Sequence, residues 1–268
     1  MSIKLGVIGG GIMGEALLSR LLAQGIYAPE TVIVSDPLVQ RRNYLQQKYA
    51  VKVTAENKQA ASTAEVLLLA IKPQILDSIA ADFSDQVSDN TLVLSILAGV
   101  TLGHLDSIFP RQPVVRVMPN TPATVGAAMS AIAAGSKAKP EHISQAKTIF
   151  AAVGEVVEVR ESLMDAVTGV SGSGPAYVAM MIEALADGGV AVGLPRTLAN
   201  QLALQTVFGT AQLLQQSTLH PAQLKDQVTS PGGTTIAGVA QLERSAFRAA
   251  VIGAVQASYQ RAQELGNH

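Results

Sequence analysis

The sequence predicts a two-domain α/β protein, with a doubly wound, mostly parallel sheet over residues 1–161 and an all-helical domain over residues 162–268. Three observations support this fold class. The length of 268 residues suits two domains. In the first part, short β-rich runs alternate with helix-like segments, as in sheets with crossover helices. After Ser162, long helical periods replace this alternation.

The predicted strands are short apolar runs, which are typical of strands covered on both faces. They span residues 3–8, 31–35, 51–53, 66–70, 92–96, 114–117, 127–133 and 155–159. The run at 51–53 is the weakest of them. A helix with Pro140 in its first turn separates the last two strands.

The helical part is apolar on more than one face. Val178, Met181, Ile182 and Leu185 share one side of a helix, while Met180 makes the opposite side apolar as well. Residues 204–214 and 247–258 carry two further apolar stripes. Because one small domain cannot cover so many apolar faces, we expect an obligate homodimer or a larger assembly of dimers.

The composition excludes several classes of function. Lys and Arg number 19 against 20 Asp and Glu, and aromatic residues are only 4%, which argues against a nucleic-acid partner. The chain has no Cys, so thiolate metal sites and cysteine nucleophiles are ruled out. Glu183 and Asp187 interrupt its most apolar stretch, and the start does not resemble a signal peptide. We therefore expect a cytoplasmic protein that acts on a small molecule, without metal or membrane.

A glycine loop follows the first predicted strand and precedes a helical run at residues 15–24. Gly9, Gly11 and Gly14 have the G-x-G-x-x-G spacing, with Ile12 and Met13 between the last two. In a Rossmann-like βαβ unit, such glycines permit the turn, the approach of a pyrophosphate and close helix packing. The alternative is a merely flexible turn, but this position favours dinucleotide binding.

The end of the second strand leaves the choice of coenzyme open. Asp36 lies about 20 positions after the glycine loop, where an acidic residue binds the ribose hydroxyls of NAD. Ser35, Asn57 and the pair Arg41 and Arg42 are instead able to donate to the 2′-phosphate of NADP. The two arginines are equally well explained as solvated helix charges.

Further coenzyme-binding residues are expected where later strands end, since open α/β sheets bind ligands there. They are Ala70, Ile71, Lys72 and Pro73 after the fourth strand, Ala98 and Gly99 after the fifth, and Asn120 after the sixth. Lys72 is a candidate for phosphate or substrate binding, or an ordinary rim lysine. Asn120 lies between two prolines and suits a hydrogen bond to the nicotinamide, although these prolines are equally suited simply to end the strand.

Two motifs in the helical part are the most specific in the chain. They are VTGVSGSGPAY at residues 167–177 and LKDQVTSPGGTT at residues 224–235. Together with the glycine loop and the segments around Lys72 and Asn120, they resemble pyrroline-5-carboxylate reductase, and the resemblance spans nearly the whole chain.

This resemblance implies NAD(P)H-dependent reduction of 1-pyrroline-5-carboxylate to L-proline, the last step of proline biosynthesis, by a homodimer or decamer. It also implies that the substrate carboxylate is held by Ser230, Gly232, Gly233, Thr234 and Thr235, with Lys72 as a further substrate contact. The Thr235 hydroxyl would lie near the ring nitrogen as the catalytic group. The family favours NADPH, although Asp36 keeps NADH open.

The chemistry of the helical motif agrees with this. N–H groups at a glycine-rich helix start bind an anion without an arginine. A cyclic imine is basic enough to bind already protonated, so no strong acid is required, and we expect His220 to be structural. A β-hydroxyacid dehydrogenase needs a lysine one turn after Gly174, which is missing here. A nucleotide-binding regulator without turnover is the other alternative.

Overall fold

The computed structural model describes residues 2–266, and within them eight strands form one sheet in the order β3-β2-β1-β4-β5-β6-β7-β8. The strands are β1 (Ile3–Ile8), β2 (Val32–Ser35), β3 (Lys52–Thr54), β4 (Ala64–Leu69), β5 (Leu92–Ser95), β6 (Val114–Met118), β7 (Ala128–Ala134) and β8 (Gly154–Glu158). Each strand overlaps a predicted one. The predicted doubly wound, mostly parallel sheet is therefore confirmed.

All neighbouring strands are parallel except β6 and β7, which are antiparallel. Gly6 in β1 lies opposite Ile33 in β2 and Leu67 in β4. From β1 the chain moves outwards to β2 and β3, and then returns to continue from β4 on the other side. This reversal of strand order is the point at which open α/β sheets bind ligands.

Twelve α-helices lie within the described residues. They are α1 (Ile12–Ala23), α2 (Val39–Tyr49), α3 (Asn57–Thr63), α4 (Leu76–Ala80), α5 (Leu102–Ile108), α6 (Pro140–Ala151), α7 (Met164–Val167), α8 (Gly174–Ala191), α9 (Arg196–Gln216), α10 (Pro221–Gln227), α11 (Thr234–Arg244) and α12 (Phe247–Gly266). No helix in residues 2–266 combines the length and apolar character that crossing a membrane requires.

Both faces of the sheet are covered, because successive residues of its central strands are buried on opposite sides. On one face, Leu68 and Leu94 join the core that α1 and α6 cover through Leu17 and Phe150. On the other face, Leu67 joins a separate core. This two-sided burial is the reason that the central strands read as continuous apolar runs.

The chain divides into two compact units. We call Gly174–Gln256 the helical unit, and the remainder, up to Ser173 and again from Ala257, the sheet unit. In the helical unit, α8 packs against α9 with Gly189 facing Ala199, where an added Cβ would lie 3.2 Å from the alanine Cβ. Only Ala186 of α8 is buried within a single chain, so one chain alone does not provide the predicted burial of this helix.

The sheet unit extends beyond the predicted boundary between residues 161 and 162. Met164 is buried in a core of the sheet, and the Ser173 hydroxyl lies 2.8 Å from that of Ser258 near the end of α12. Leu265 packs against Gly99 after β5. These contacts place both ends of the helical region with the sheet, while the predicted domain division stays a prediction.

Candidate active site

At two positions of the loop between β1 and α1, the close approach of neighbouring backbone atoms requires a glycine. Gly9 has a φ of +100°, and a Cβ there would lie 2.5 Å from the carbonyl oxygen of Ala70. A Cβ on Gly14 would lie 2.3 Å from the carbonyl oxygen of Gly9. Any side chain at either position would therefore force the loop, α1 and the end of β4 apart.

Gly11 differs from these two glycines, because a Cβ built on it meets no atom of residues 2–266 within 4 Å. It is the N-cap of α1 and supplies no side-chain cap, so the first N–H groups of the helix, including those of Ile12 and Met13, remain available. Ile12 is 82% exposed. The open space before a helix N-terminus fits the pyrophosphate of a dinucleotide.

Asp36 holds the glycine loop from the side of β2. Its carboxylate accepts hydrogen bonds from the Gly10 N–H at 3.0 Å and from the Leu38 N–H at 2.9 Å. Both oxygens are thus engaged by the backbone, and the residue is 8% exposed. Sequence reasoning assigned Asp36 to the ribose of the coenzyme and missed this role in joining two loops.

Ser35 and Asn57 were both predicted as donors to the 2′-phosphate of NADP, and they lie in contact at the carboxyl end of β2. The Ser35 hydroxyl donates to Oδ1 of Asn57 at 2.6 Å, and Ser35 is buried. This bond orients the amide of Asn57, the first residue of α3, and leaves its two N–H groups as donors.

Glu15 in the first turn of α1 forms a cluster with α2 that sequence reasoning missed. Its carboxylate accepts hydrogen bonds from Lys48, Tyr49, Arg41 and Tyr44. Burial alone would raise the pKa of Glu15, but these four donors outweigh burial and lower the pKa to about 2. The only signal in the sequence was an acidic residue at a helix N-terminus, which is common.

The segments after β4 and β5 border the same edge of the sheet. Ala70 donates its N–H to Ile8 at 2.8 Å, which brings this segment beside the glycine loop. Lys72 is exposed and precedes the short 3₁₀ helix Pro73–Ile75. The structure thus brings together the predicted residues that follow β1 and β4. Of these, Ile71 and Pro73 are partly buried.

After β5, Ala98 is exposed and Gly99 adopts a left-handed conformation with a φ of +78°. After β6, Asn120 is buried and its side chain is occupied by the backbone. It donates to the Ser171 carbonyl at 3.0 Å and accepts from the Met129 N–H at 2.9 Å. Asn120 therefore holds the turn after β6, and its bond to the nicotinamide stays a prediction.

A buried arginine lies in the strand β6, and no pattern in the sequence predicted that it would be buried. Arg116 in β6 is 6% exposed and pairs with Glu161 at 3.0 Å. Glu161 also accepts the N–H of Leu102, the first residue of α5. The ion pair thus holds the start of α5 to the segment after β8.

In the helical unit, the predicted substrate loop leads into α11. Gly232 has a φ of +66°, and the Gly233 N–H donates to the Ser230 carbonyl at 3.1 Å. Gly233 is the N-cap of α11 and provides no side-chain cap. The first N–H groups of this helix, from Thr234 onwards, are therefore open to an anion.

Thr235 is partly exposed on the first turn of α11, and its hydroxyl has no hydrogen-bond partner in the part of the chain that the structure describes. His220 caps α10 instead, accepting the Ala222 N–H at 3.2 Å, which agrees with a structural role. Among residues 2–266, no group of three or more His, Asp or Glu side chains is placed to hold a metal ion.

Comparisons with known proteins agree with this geometry. The family model described as pyrroline-5-carboxylate reductase dimerisation matches residues 161–265, and one described as NADP oxidoreductase, coenzyme F420-dependent, matches residues 4–99. The chain is 61% identical over 266 residues to the pyrroline-5-carboxylate reductase of Synechocystis sp., covering 99% of each chain. It is 41% identical to that of Arabidopsis thaliana, covering 98% of this chain and 96% of the relative.

Among solved structures, it is 32% identical to the Plasmodium falciparum pyrroline carboxylate reductase with NADP bound. The TM-score is 0.90, and the match covers 98% of each chain. On these findings, the chain belongs to the pyrroline-5-carboxylate reductase family.

Proposed function

We propose that this protein reduces 1-pyrroline-5-carboxylate to L-proline with NADPH, in the last step of proline biosynthesis. Family membership and the open space at Gly11, before the N-terminus of α1, are the observations that support it. When bound, NADPH supplies the hydride for the imine carbon, which lies on the other side of the ring nitrogen from the carbon that carries the carboxylate. The work of the chain is to hold and orient the two molecules, which accounts for up to about 7–11 kcal/mol of barrier lowering.

For the coenzyme, the proposal assigns the pyrophosphate to Gly9, Gly11 and Gly14, with the N–H groups of Ile12 and Met13. The adenosine end is assigned to Ser35, Asn57 and the segment of Asp36, at the carboxyl end of β2. The remaining coenzyme contacts are assigned to Ala70, Ile71, Lys72, Pro73, Ala98, Gly99 and Asn120. The support is that these residues share one edge of the sheet, at and beside its topological reversal.

For the substrate, the proposal assigns the carboxylate to the segment from Ser230 to Thr235, with Lys72 as a further contact. Main-chain N–H groups after Gly232 and Gly233 offer directed donors and the partial positive charge of the α11 N-terminus. This recognition requires an anion but no particular side chain. It therefore suits a small substrate whose carboxylate is the only charged group that stays unchanged in the reaction.

Thr235 is proposed as the catalytic residue, because its hydroxyl, which has no partner among residues 2–266, can donate to or accept from the ring nitrogen. The nitrogen gains no proton during the step if the imine binds already protonated. Thr235 then orients the ring and stabilises the amine that forms, which removes the need for a strong acid. No histidine is required by this scheme.

We also propose the finer features of its organisation. The nucleotide-binding domain is assigned to residues 1–161 and the dimerisation and substrate domain to residues 162–268, in line with a family model that begins at residue 161. The assembly is a homodimer or a decamer, located in the cytoplasm. Light scattering of the purified protein and fractionation of the cells test these two statements.

The decisive experiment follows NADPH oxidation on addition of 1-pyrroline-5-carboxylate. We expect turnover by the wild type and a loss of about 10–100-fold in kcat for Thr235→Ala, with NADPH affinity retained. Thr148→Ala is the matched control, because Thr148 is exposed on α6 and its hydroxyl donates to a carbonyl of the same helix. Binding of NADPH without oxidation would contradict the proposed function, and a wild-type rate for Thr235→Ala would place the catalytic group elsewhere.

A further inference from the structure

We infer that Arg42 determines the preference of this protein for NADPH over NADH, by binding the 2′-phosphate of the coenzyme. The inference rests on the proposed function and concerns the two adjacent arginines of α2, which the sequence did not distinguish. NADPH differs from NADH only in a phosphate on the adenosine ribose. A residue that selects for it must offer an uncompensated positive charge near the end of β2.

Arg41 does not meet that requirement, because its charge is already compensated. Its Nη2 group pairs with the carboxylate of Glu15 and donates to the Gly11 carbonyl at 3.3 Å. Its Nε group donates to the Gly10 carbonyl. Arg41 therefore ties the glycine loop to α2, and its effect should be felt by the pyrophosphate region that both coenzymes share.

Arg42 differs in both charge and anchoring. It forms no ion pair with any carboxylate among residues 2–266. Its Nη1 group donates to the Asp36 carbonyl at 2.7 Å and to the Pro37 carbonyl at 2.9 Å. One end of the guanidinium is thereby fixed beside the end of β2, and the Nε and Nη2 donors have no partner within the described chain.

The acidic residue at this position does not form an ion pair with Arg42, within the part of the chain that the structure describes. Both carboxylate oxygens of Asp36 accept backbone N–H groups, one of them from Gly10 in the glycine loop. The Asp36 side chain is thus turned towards the glycine loop, while its carbonyl anchors Arg42. An aspartate that would ordinarily favour NAD is therefore compatible with a phosphate-binding arginine next to it.

The neighbours of Arg42 provide neutral donors for the same phosphate. Ser35 directly precedes Asp36, and its bond to Asn57 presents the amide N–H groups of Asn57 at this end of the sheet. A phosphate monoester carries nearly two negative charges and binds best to a guanidinium supplemented by hydrogen-bond donors. Among these residues, Arg42 supplies the positive charge, which only the 2′-phosphate of NADPH can match at this end of the coenzyme.

The test compares Arg42→Gln with Arg41→Gln by calorimetric titration without the imine, using NADPH, NADH and adenosine 2′,5′-bisphosphate. We expect Arg42→Gln to weaken NADPH and the bisphosphate by about tenfold or more, and to leave NADH within about twofold. Arg41→Gln should weaken NADPH and NADH by similar factors. Arg42→Lys, which keeps the charge and loses the planar guanidinium, should show a smaller but equally selective loss.

Unchanged NADPH affinity in Arg42→Gln, or equal losses for NADPH and NADH, would overturn the inference while leaving the proposed function intact. A selective loss of NADPH in Arg41→Gln alone would overturn it as well. Failure of the wild type to bind NADPH would instead contradict the proposed function itself. The two failures are therefore separable in one set of titrations.

Discussion

The sheet unit and the helical unit bury their apolar residues very differently. The largest fully buried side chains, which include Phe83, Phe109 and Phe150, all lie in the sheet unit. In the helical unit, the buried cluster consists of three alanines, Ala186, Ala199 and Ala203. Large apolar side chains there remain exposed in a single chain, among them Met180 at 68% and Phe208 at 58%.

This difference shows that the two units obtain their stability from different sources. The sheet unit completes its own core, since helices cover both faces of its strands. The helical unit keeps its large apolar faces for a second copy of the chain, in agreement with its match to a dimerisation domain and with a homo-oligomer. Substitutions in the sheet unit should therefore affect folding, and substitutions in the helical unit should affect assembly.

The largest effect is expected from Phe150→Ala in the sheet unit. Phe150 is fully buried at the end of α6, so its truncation leaves a cavity and should lower the free energy of unfolding by about 3–5 kcal/mol. Denaturant titration measures this loss. Phe150→Leu, which keeps more of the volume, should cost less than half as much, and equal costs would show that the site is not tightly packed.

A charge in the helical unit should affect assembly before it affects folding. Ile252 is 58% exposed in the single chain and lines an apolar groove with Val178 and Phe247. Ile252→Glu would bury an unpaired carboxylate between two copies, and we expect the dissociation constant of the dimer to rise about 100-fold. Analytical ultracentrifugation measures this change.

The control for that substitution is Val125→Glu, at a residue that is 73% exposed on the sheet unit. It should leave the assembly unchanged, because that unit buries its own apolar residues. If the dimer of Ile252→Glu had the same dissociation constant as the wild type, the exposed groove of the helical unit would not be the dimer interface.

The smallest effect should come from the Glu15 cluster, and it should depend on pH. The pKa of Glu15 is lowered to about 2 from an ordinary value of 4.5, so the cluster stabilises the fold above pH 4.5. This contribution is lost as the pH falls towards 2. Glu15→Gln should therefore destabilise the protein by about 1–2 kcal/mol near pH 7.

Thermal melting of the wild type and Glu15→Gln across pH 2–7 measures this effect. The difference in Tm between them should shrink progressively below pH 4.5. Glu155→Gln is the control, because Glu155 is exposed and has no ion-pair partner in the described part of the chain. A difference in Tm that stayed constant down to pH 2 would show that Glu15 does not act through its charge.

Much of the fold was predictable because its signals are local. All eight strands were found from short apolar runs, and the weakest run, at residues 51–53, still overlaps β3. In the candidate site, the turn that contains Gly9, Gly11 and Gly14 was predictable for the same reason, while its contact with the coenzyme stays a prediction. Their spacing along the chain is set by the geometry of one turn and the helix that follows.

The roles of the charged residues were not predictable, since each depends on a partner far along the chain. Arg116 meets Glu161 across 45 positions, and Asp36 meets Gly10 across 26. Identical side chains at 41 and 42 have different partners because a helix points adjacent residues in different directions. Only the packing of α2 against α1 brought one of them to Glu15.

By itself, the sequence determined the order of the strands, the glycine turn after the first strand and the family of the protein. These follow from periodicity, from glycine geometry and from motifs read over a few neighbouring residues. The tertiary structure alone decided which carboxylate is turned to the backbone, which arginine stays uncompensated and which apolar faces remain exposed. The physical reason is that charge compensation and burial depend on distances in space, which the order of residues does not specify.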